Sequence, residues 1–62
     1  MPLVEINGPK MDVKKKRELV EKLTRAVSEV YGTPDEGTIV IIRENEHDNV
    51  GRGGKLLSDL HR

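Results

Sequence analysis

The chain has 62 residues, 35% of them charged, with eleven basic and eleven acidic side chains and no cysteine. A formal net charge of zero removes a general electrostatic reason to bind nucleic acid or an anionic membrane, and no apolar run approaches the ~18 residues that a membrane span needs. We expect one domain over residues 1–62, and because so short a chain buries only roughly 60% of its unfolded surface and disulfides are excluded, oligomerisation should complete its core.

The first predicted element is a strand over residues 2–7, with Val4 and Ile6 on one side and Glu5 and Asn7 on the other. The stretch GPKMD then breaks this alternation, and its aspartate is a good N-cap for a following helix.

A helix is predicted from Val13 to about Tyr31, because apolar residues recur every three or four positions and form one stripe. The stripe consists of Leu19, Val20, Leu23, Ala26, Val27, Val30 and Tyr31. Gly32 suits the left-handed position after a helix and Pro34 cannot continue one, so the helix should end there.

The run KKKR at the start of this helix is a weak signal for an anion or nucleic-acid patch. Glu18 and Glu21 lie four residues after Lys14 and Arg17 and can pair with them. A solvated, salt-bridged face is therefore the favoured interpretation.

The run TIVIIRE over residues 38–44 is β-branched and apolar on both faces, which predicts a strand covered on two sides. Strand, helix and strand together predict an α/β (α+β) fold built on one β-α-β unit with parallel strands. Residues 49–52 should form a short extended piece or hairpin, and residues 55–60 a loose helical or irregular end. The leucines of that end, Leu56, Leu57 and Leu60, are expected to dock on a neighbouring subunit.

Pro2 is the residue whose position alone suggests chemistry. If Met1 is removed, Pro2 becomes a terminal secondary amine, whose pKa of about 7.7–8.0 falls further beside apolar groups or cations. A neutral amine near physiological pH is an efficient general base. The alternative is that proline merely begins a strand, where its missing N–H costs little.

The segments MPLVEI, GPKMDVKKKRELVEKLTRAVSEVYGTP, TIVIIRE and NVGRGGKLLSD together resemble the 4-oxalocrotonate tautomerase family over essentially the whole chain. The most specific features are Pro2 after Met1, the chain length and the VGRGG run at residues 50–54. Within the family, the GPK loop and the ENEHDNVG stretch are similar to the DmpI-type subgroup.

The resemblance implies a small β-α-β subunit that pairs into four-stranded sheets as a dimer and assembles as a hexamer. It also implies a keto–enol tautomerase that needs no metal or other cofactor. The amino-terminal Pro2 would take a proton from the hydroxyl of a 2-hydroxy-dienoate such as 2-hydroxymuconate and return it to a carbon further along the conjugated chain.

The resemblance also assigns substrate-binding positions. Lys10 matches the family's first substrate-binding arginine and keeps its charge without the bidentate fork, whereas Ile39 replaces the second arginine. Val50 takes the position of an aromatic wall residue. A substitute cation is Arg52 in the hairpin; Arg43 lies about 13 Å along the strand from Ile39 and should instead form an interface ion pair.

Two alternatives remain open. The same fold and proline could serve a hydratase or decarboxylase of unsaturated or 3-oxo acids, or the loss of arginine at Ile39 could mark a non-catalytic oligomeric module that binds a small acid or a partner protein. His47 and His61 cannot build a closed metal site and are interpreted as surface residues. No signal-peptide pattern is present, which predicts a cytoplasmic protein.

Overall fold

The computed structural model describes residues 2–60. Met1, for which removal is predicted, and His61 and Arg62 lie outside the described residues. The elements in chain order are β1 (Leu3–Gly8), α1 (Val13–Tyr31), β2 (Ile39–Glu44), β3 (Gly51–Arg52), β4 (Lys55–Leu56) and α2 (Leu57–Leu60). Short 3₁₀ turns at Asp35–Gly37 and His47–Asn49 lead into β2 and β3.

The two long strands lie side by side and run in the same direction. Their register starts at Leu3 opposite Ile39 and ends at Gly8 opposite Glu44. Because parallel neighbours need a crossover connection, α1 supplies it. The predicted β-α-β unit is confirmed.

Helix α1 begins and ends at the residues that the sequence predicts. The Asp12 side chain accepts a hydrogen bond from the Lys15 N–H at 2.8 Å and so caps the first turn. At the other end Gly32 adopts φ 70° and its N–H donates to the Ser28 carbonyl. The Ser28 hydroxyl donates to the Asp35 carboxylate at 2.6 Å, which joins the helix end to the turn before β2.

The sheet has one face against α1 and one open face. Val4, Ile6, Val40 and Ile42 are half-buried on the helix side, while Leu3, Ile39 and Ile41 on the open face are 54%, 44% and 36% exposed. Glu5 and Arg43 form an ion pair on this open face. Arg43, for which the sequence analysis predicts an ion pair at a subunit interface, is thus paired within its own chain instead.

A single copy has no buried core. None of the described side chains between Pro2 and Leu60 is buried, and the chain measures 43 × 24 × 13 Å with a radius of gyration of 14.9 Å. A compact chain of this length would have a radius of about 11 Å. One helix on a two-stranded sheet thus leaves apolar surface for other contacts. Neither described helix is long and apolar enough to cross a membrane.

The C-terminal segment is more regular than predicted. Strands β3 and β4 form an antiparallel hairpin, with Arg52 opposite Lys55. Gly53 and Gly54, at φ 60° and 83°, make the reversal possible. The expectation of a loose end from residue 55 is therefore wrong for Lys55 and Leu56, whereas the turn of helix at Leu57–Leu60 agrees with it.

The charged face of α1 also differs from expectation. Glu18 pairs with Lys22 at 2.8 Å, and the ion pairs found within residues 2–60 do not include the predicted pairs with Lys14 and Arg17. The observed order, glutamate four residues before lysine, is the more favourable one on a helix.

Candidate active site

Pro2 lies at the amino-terminal edge of the parallel sheet. It is half-buried, and its carbonyl accepts a hydrogen bond from the Ile39 N–H at 3.0 Å. Leu3, the next residue, is directly opposite Ile39 on the open face. The immediate sheet neighbours of Pro2 are thus apolar, and apolar surroundings favour the neutral form of an amine.

The nearest charged groups on the open face do not supply a free cation to this edge. Glu5 and Arg43 neutralise each other there, and Arg43 is four positions further along β2 than Ile39. Ile39 itself leaves an apolar surface where the resemblance implies an arginine. In the described part of the chain, the open-face edge beside Pro2 therefore has no free cation that could bind a substrate carboxylate.

Lys10 lies at the opposite end of the sheet, beside two adjoining clefts. The first has a volume of about 280 Å³ and is lined by Asn7, Gly8, Pro9, Asn45, His47, Val50 and Leu57. The second, also about 280 Å³, is lined by Pro9, Lys10, Asn45, Glu46 and His47. A cation next to a partly apolar cleft is suited to a small organic carboxylate.

The structure groups the predicted site residues at two separate places. Pro2 and Ile39 are adjacent at one end, whereas Lys10 and Val50 border the adjoining clefts at the other. The six residues of β1 separate these ends by about 20 Å. A small dienoate cannot touch Pro2 and Lys10 of the same copy.

Val50 and Arg52 are positioned by the C-terminal hairpin. The Val50 carbonyl accepts the Leu57 N–H at 2.8 Å, which closes the base of the hairpin beside the first cleft. Arg52 is exposed in β3, directly before the Gly53–Gly54 turn. The hairpin therefore projects a cation from the end of the subunit that carries Lys10.

Glu44, which the sequence analysis did not single out, organises this end. Its carboxylate accepts the Met11 N–H at 3.0 Å and pairs with the Lys16 ammonium at 3.1 Å. The hydrogen bond from the Met11 N–H is the main cause that lowers the pKa of Glu44, and Lys16 is the second. The alternation along β2 could have revealed this role. Glu44 lies on the same side of the strand as Val40 and Ile42, which face the helix, and a charged side chain on that side needs a partner.

His47 was also given no role, and it lines both clefts next to Lys10. The sequence offered little to reveal this, because His47 belongs to a polar turn whose direction depends on how the chain leaves β2. Its position makes it a neighbour of any molecule that occupies either cleft.

Known proteins similar in sequence are tautomerases. A probable tautomerase of Bacillus cereus is 48% identical over 44 residues, covering 71% of this chain and 72% of the relative. A 2-hydroxymuconate tautomerase of Bacillus subtilis is 47% identical over 45 residues, covering 73% of each chain.

The fold leads to the same group of proteins. The crystal structure of DmpI from Archaeoglobus fulgidus superposes with a TM-score of 0.86 at 46% identity, covering 94% of this chain and all of the other. The family model described as "Tautomerase enzyme" matches residues 2–60, so that the match begins at Pro2. The chain belongs to the tautomerase family of isomerases.

Proposed function

We propose that this protein catalyses keto–enol tautomerisation of small 2-hydroxy-dienoates such as 2-hydroxymuconate, with Pro2 as general acid and base after removal of Met1. The observation that carries the proposal is the position of Pro2. It is the first residue of the family match, and it lies beside Leu3 and Ile39 at the sheet edge. A relative named 2-hydroxymuconate tautomerase, 47% identical, supports the choice of substrate class.

The reaction requires one group that accepts a proton and then donates it. The neutral Pro2 nitrogen takes the proton of the 2-hydroxyl group, and the electron pair moves along the conjugated chain as the C2 carbonyl forms. The resulting prolinium returns the same proton to C3 or C5, giving a 1,3 or 1,5 shift with no net change in atoms or electrons. An amine whose pKa lies near the working pH suits both steps.

Substrate binding is assigned to groups at the other end of the subunit. Lys10 supplies a cation for a carboxylate, and Val50 supplies apolar wall. Arg52 is the second candidate cation, while Ile39 contributes apolar contact next to Pro2. A cation bound to a substrate carboxylate, which keeps its charge throughout the reaction, stabilises the ground state and the transition state alike and so lowers KM.

The separation of Pro2 from Lys10 supports a site shared between copies. In a two-fold pair, the Lys10 end of one copy can lie against the Pro2 end of the next, and each pair then contains two equivalent sites. The exposed apolar face of the sheet and the absence of buried side chains in residues 2–60 support further assembly. We propose four-stranded sheets in dimers and a hexamer built from three of these dimers, with residues 1–62 as a single domain.

A non-catalytic module that binds a small acid is the second candidate. The observation in its favour is Ile39, which leaves the Pro2 edge without a described cation. Such a module would bind carboxylates at Lys10 and would not turn them over.

The test is an ultraviolet assay of processed protein on 2-hydroxymuconate and phenylenolpyruvate. Intact mass first establishes that Met1 is gone, because an acylated Pro2 nitrogen has no useful basicity. We expect turnover by the wild type and a loss of about 10²- to 10⁴-fold in Pro2→Ala, the range for removal of a general acid–base. Sedimentation should show unchanged assembly.

The matched control is Pro34→Ala, which changes an exposed proline before the turn at Asp35–Gly37. It should retain wild-type turnover. Equal turnover by wild type and Pro2→Ala would contradict the catalytic role of Pro2. An assembled wild type that is inactive on both substrates but binds a dicarboxylate would favour the non-catalytic module.

A further inference from the structure

The loop that carries Lys10 is held on both sides of that residue. Before it, the Gly8 carbonyl accepts the Asn45 N–H at 2.9 Å. After it, the Met11 N–H donates to the Glu44 carboxylate at 3.0 Å. Asp12 then caps α1. Lys10 therefore extends from a short segment whose backbone is fixed to the end of β2.

Glu44 is the side chain that makes the long-range part of this attachment. One carboxylate oxygen accepts the Met11 N–H, and the other pairs with Lys16 at 3.1 Å. The side chains of Lys16 and Glu44 are each 32% exposed, the least exposed of the described ion pairs. A charged group with both oxygens engaged holds its position better than a singly bonded one.

This arrangement leaves the charge of Lys10 available. Lys10 takes part in none of the described ion pairs, although it is close enough to Glu44 to contribute to the lowered pKa of that carboxyl. Both oxygens of the Glu44 carboxylate are engaged by other groups, one by Lys16 and the other by the Met11 N–H. The second cleft also contains Glu46, which forms no described ion pair with Lys10.

We propose that Glu44 is a positioning residue for substrate binding, which holds the Met11 amide so that the Lys10 ammonium stays beside the clefts, unpaired and ready for a carboxylate. This inference rests on the role of Lys10 in the proposed function. Glu44 acts through the loop and does not touch substrate. Its effect should appear in substrate affinity and in KM, with kcat changed little.

A double-mutant cycle tests the coupling between Glu44 and Lys10. The variants are Glu44→Ala, Lys10→Met and the double variant, and the ligand is cis,cis-muconate, a dicarboxylate without the reactive hydroxyl group. Binding is measured by calorimetry and by NMR shifts of residues 8–12, and KM and kcat are measured on 2-hydroxymuconate. We expect Glu44→Ala to weaken muconate binding by about tenfold when Lys10 is present. In the protein that already carries Lys10→Met, the same change should weaken binding by less than about twofold.

Two further variants separate positioning from a general loss of stability. Glu44→Gln keeps an acceptor for the Met11 N–H and should restore part of the affinity. Glu18→Ala removes the carboxylate of the Glu18–Lys22 pair on α1 and is the matched control. It should bind muconate as the wild type does.

The outcomes distinguish this inference from the proposed function. Equal weakening of binding by Glu44→Ala with either residue at position 10, or no weakening with either, overturns the positioning role. If Glu44→Ala does not fold, the same cycle is made with Glu44→Leu, which also removes the acceptor for the Met11 N–H. Lys10→Met with wild-type affinity, or a wild type that does not bind muconate, overturns both the Lys10 assignment and the inference. Retained turnover in Pro2→Ala contradicts only the proposed catalysis, because muconate binding is measured without it.

Discussion

At the scale of single residues, the chemistry depends on where charge is paired and where it is left unpaired. Among residues 2–60, ion pairs join Glu5 to Arg43, Glu18 to Lys22 and Glu44 to Lys16, and none of them includes Lys10. Pairs on an exposed surface contribute little to stability. In this chain the ion pairs hold side chains in fixed positions. Glu44 in this way holds the backbone segment that carries Lys10.

The titration of Glu44 is a direct test of this residue's surroundings. Its pKa is lowered mainly by the hydrogen bond from the Met11 N–H and to a smaller extent by Lys16. Because the pKa of Glu44 is lower in the folded state, this ionised carboxylate stabilises the fold fully above the ordinary glutamate pKa of about 4.3. That stabilisation is lost as the pH falls through the folded-state pKa. NMR titration of the Glu44 carboxyl carbon should give a midpoint below that ordinary value.

Lys16→Met should move the Glu44 midpoint part of the way back, because the Met11 N–H remains. Lys22→Met is its control: it should leave Glu44 unchanged and raise the pKa of Glu18, which the hydrogen bond from Lys22 lowers. A Glu44 midpoint at or above the ordinary value would show that the carboxylate does not hold the loop in solution.

At the scale of elements, the ends of α1 decide how the β-α-β unit closes. Asp12 caps the helix directly after the Lys10 loop, and Gly32 ends it in the left-handed conformation. Both ends connect to the sheet side of the molecule, through Met11 to Glu44 and through Ser28 to Asp35. The caps therefore fix the helix length and also the path of the chain into and out of the sheet.

Removal of the Asp12 cap should destabilise the protein measurably. We expect Asp12→Ala to lower the free energy of unfolding by about 1 kcal/mol, because the Lys15 N–H loses its acceptor. Urea unfolding followed by circular dichroism measures this, at equal protein concentrations because the proposed assembly would contribute to stability. Asp12→Asn retains a cap and should cost much less, and a loss as large as that of Asp12→Ala would argue against capping as the cause.

At the scale of the whole molecule, residues 2–60 of a single copy form no buried core. A two-stranded sheet with one covered face is marginal in water, and the described residues contain no buried side chain. The open face presents Leu3, Ile39 and Ile41. Assembly would cover this face and would join the Pro2 end of one copy to the Lys10 end of another, so that stability and the proposed activity depend on the same contacts.

A charge on the open face should therefore dissociate the assembly. Ile41→Lys would place an unpaired ammonium in the interface, at a cost of about 3 kcal/mol or more, which corresponds to an increase of about 100-fold in the dissociation constant. Analytical ultracentrifugation over a concentration series measures it. Ile41→Val, which keeps the face apolar, is the control and should assemble normally; unchanged assembly of Ile41→Lys would mean that this face stays open in solution.

The sequence by itself determined β1, α1 and β2, the family and the position of the proposed base. Apolar spacing, the Asp12 cap and Gly32 define α1, and alternation defines β1. Pro2 is singled out by its position after Met1 together with the family resemblance. These features are local, because period, capping and backbone restriction act over a few residues. The hairpin at residues 51–56 was only partly predictable. The glycines indicate a reversal of the chain, but strand β4 exists only because the Gly53–Gly54 turn brings Lys55 opposite Arg52.

Only the tertiary structure decided which side chains share a place. It separated Pro2 from Lys10 by the length of β1, paired Arg43 with Glu5 within the chain, and brought Glu44 to the Met11 amide 33 residues away in sequence. Such contacts depend on strand register and on how the helix lies across the sheet, and neither is encoded in a local pattern. The sequence could therefore propose a base and a cation and predict assembly, whereas the separation between Pro2 and Lys10, which is the reason to propose a site shared between copies, is a property of the fold.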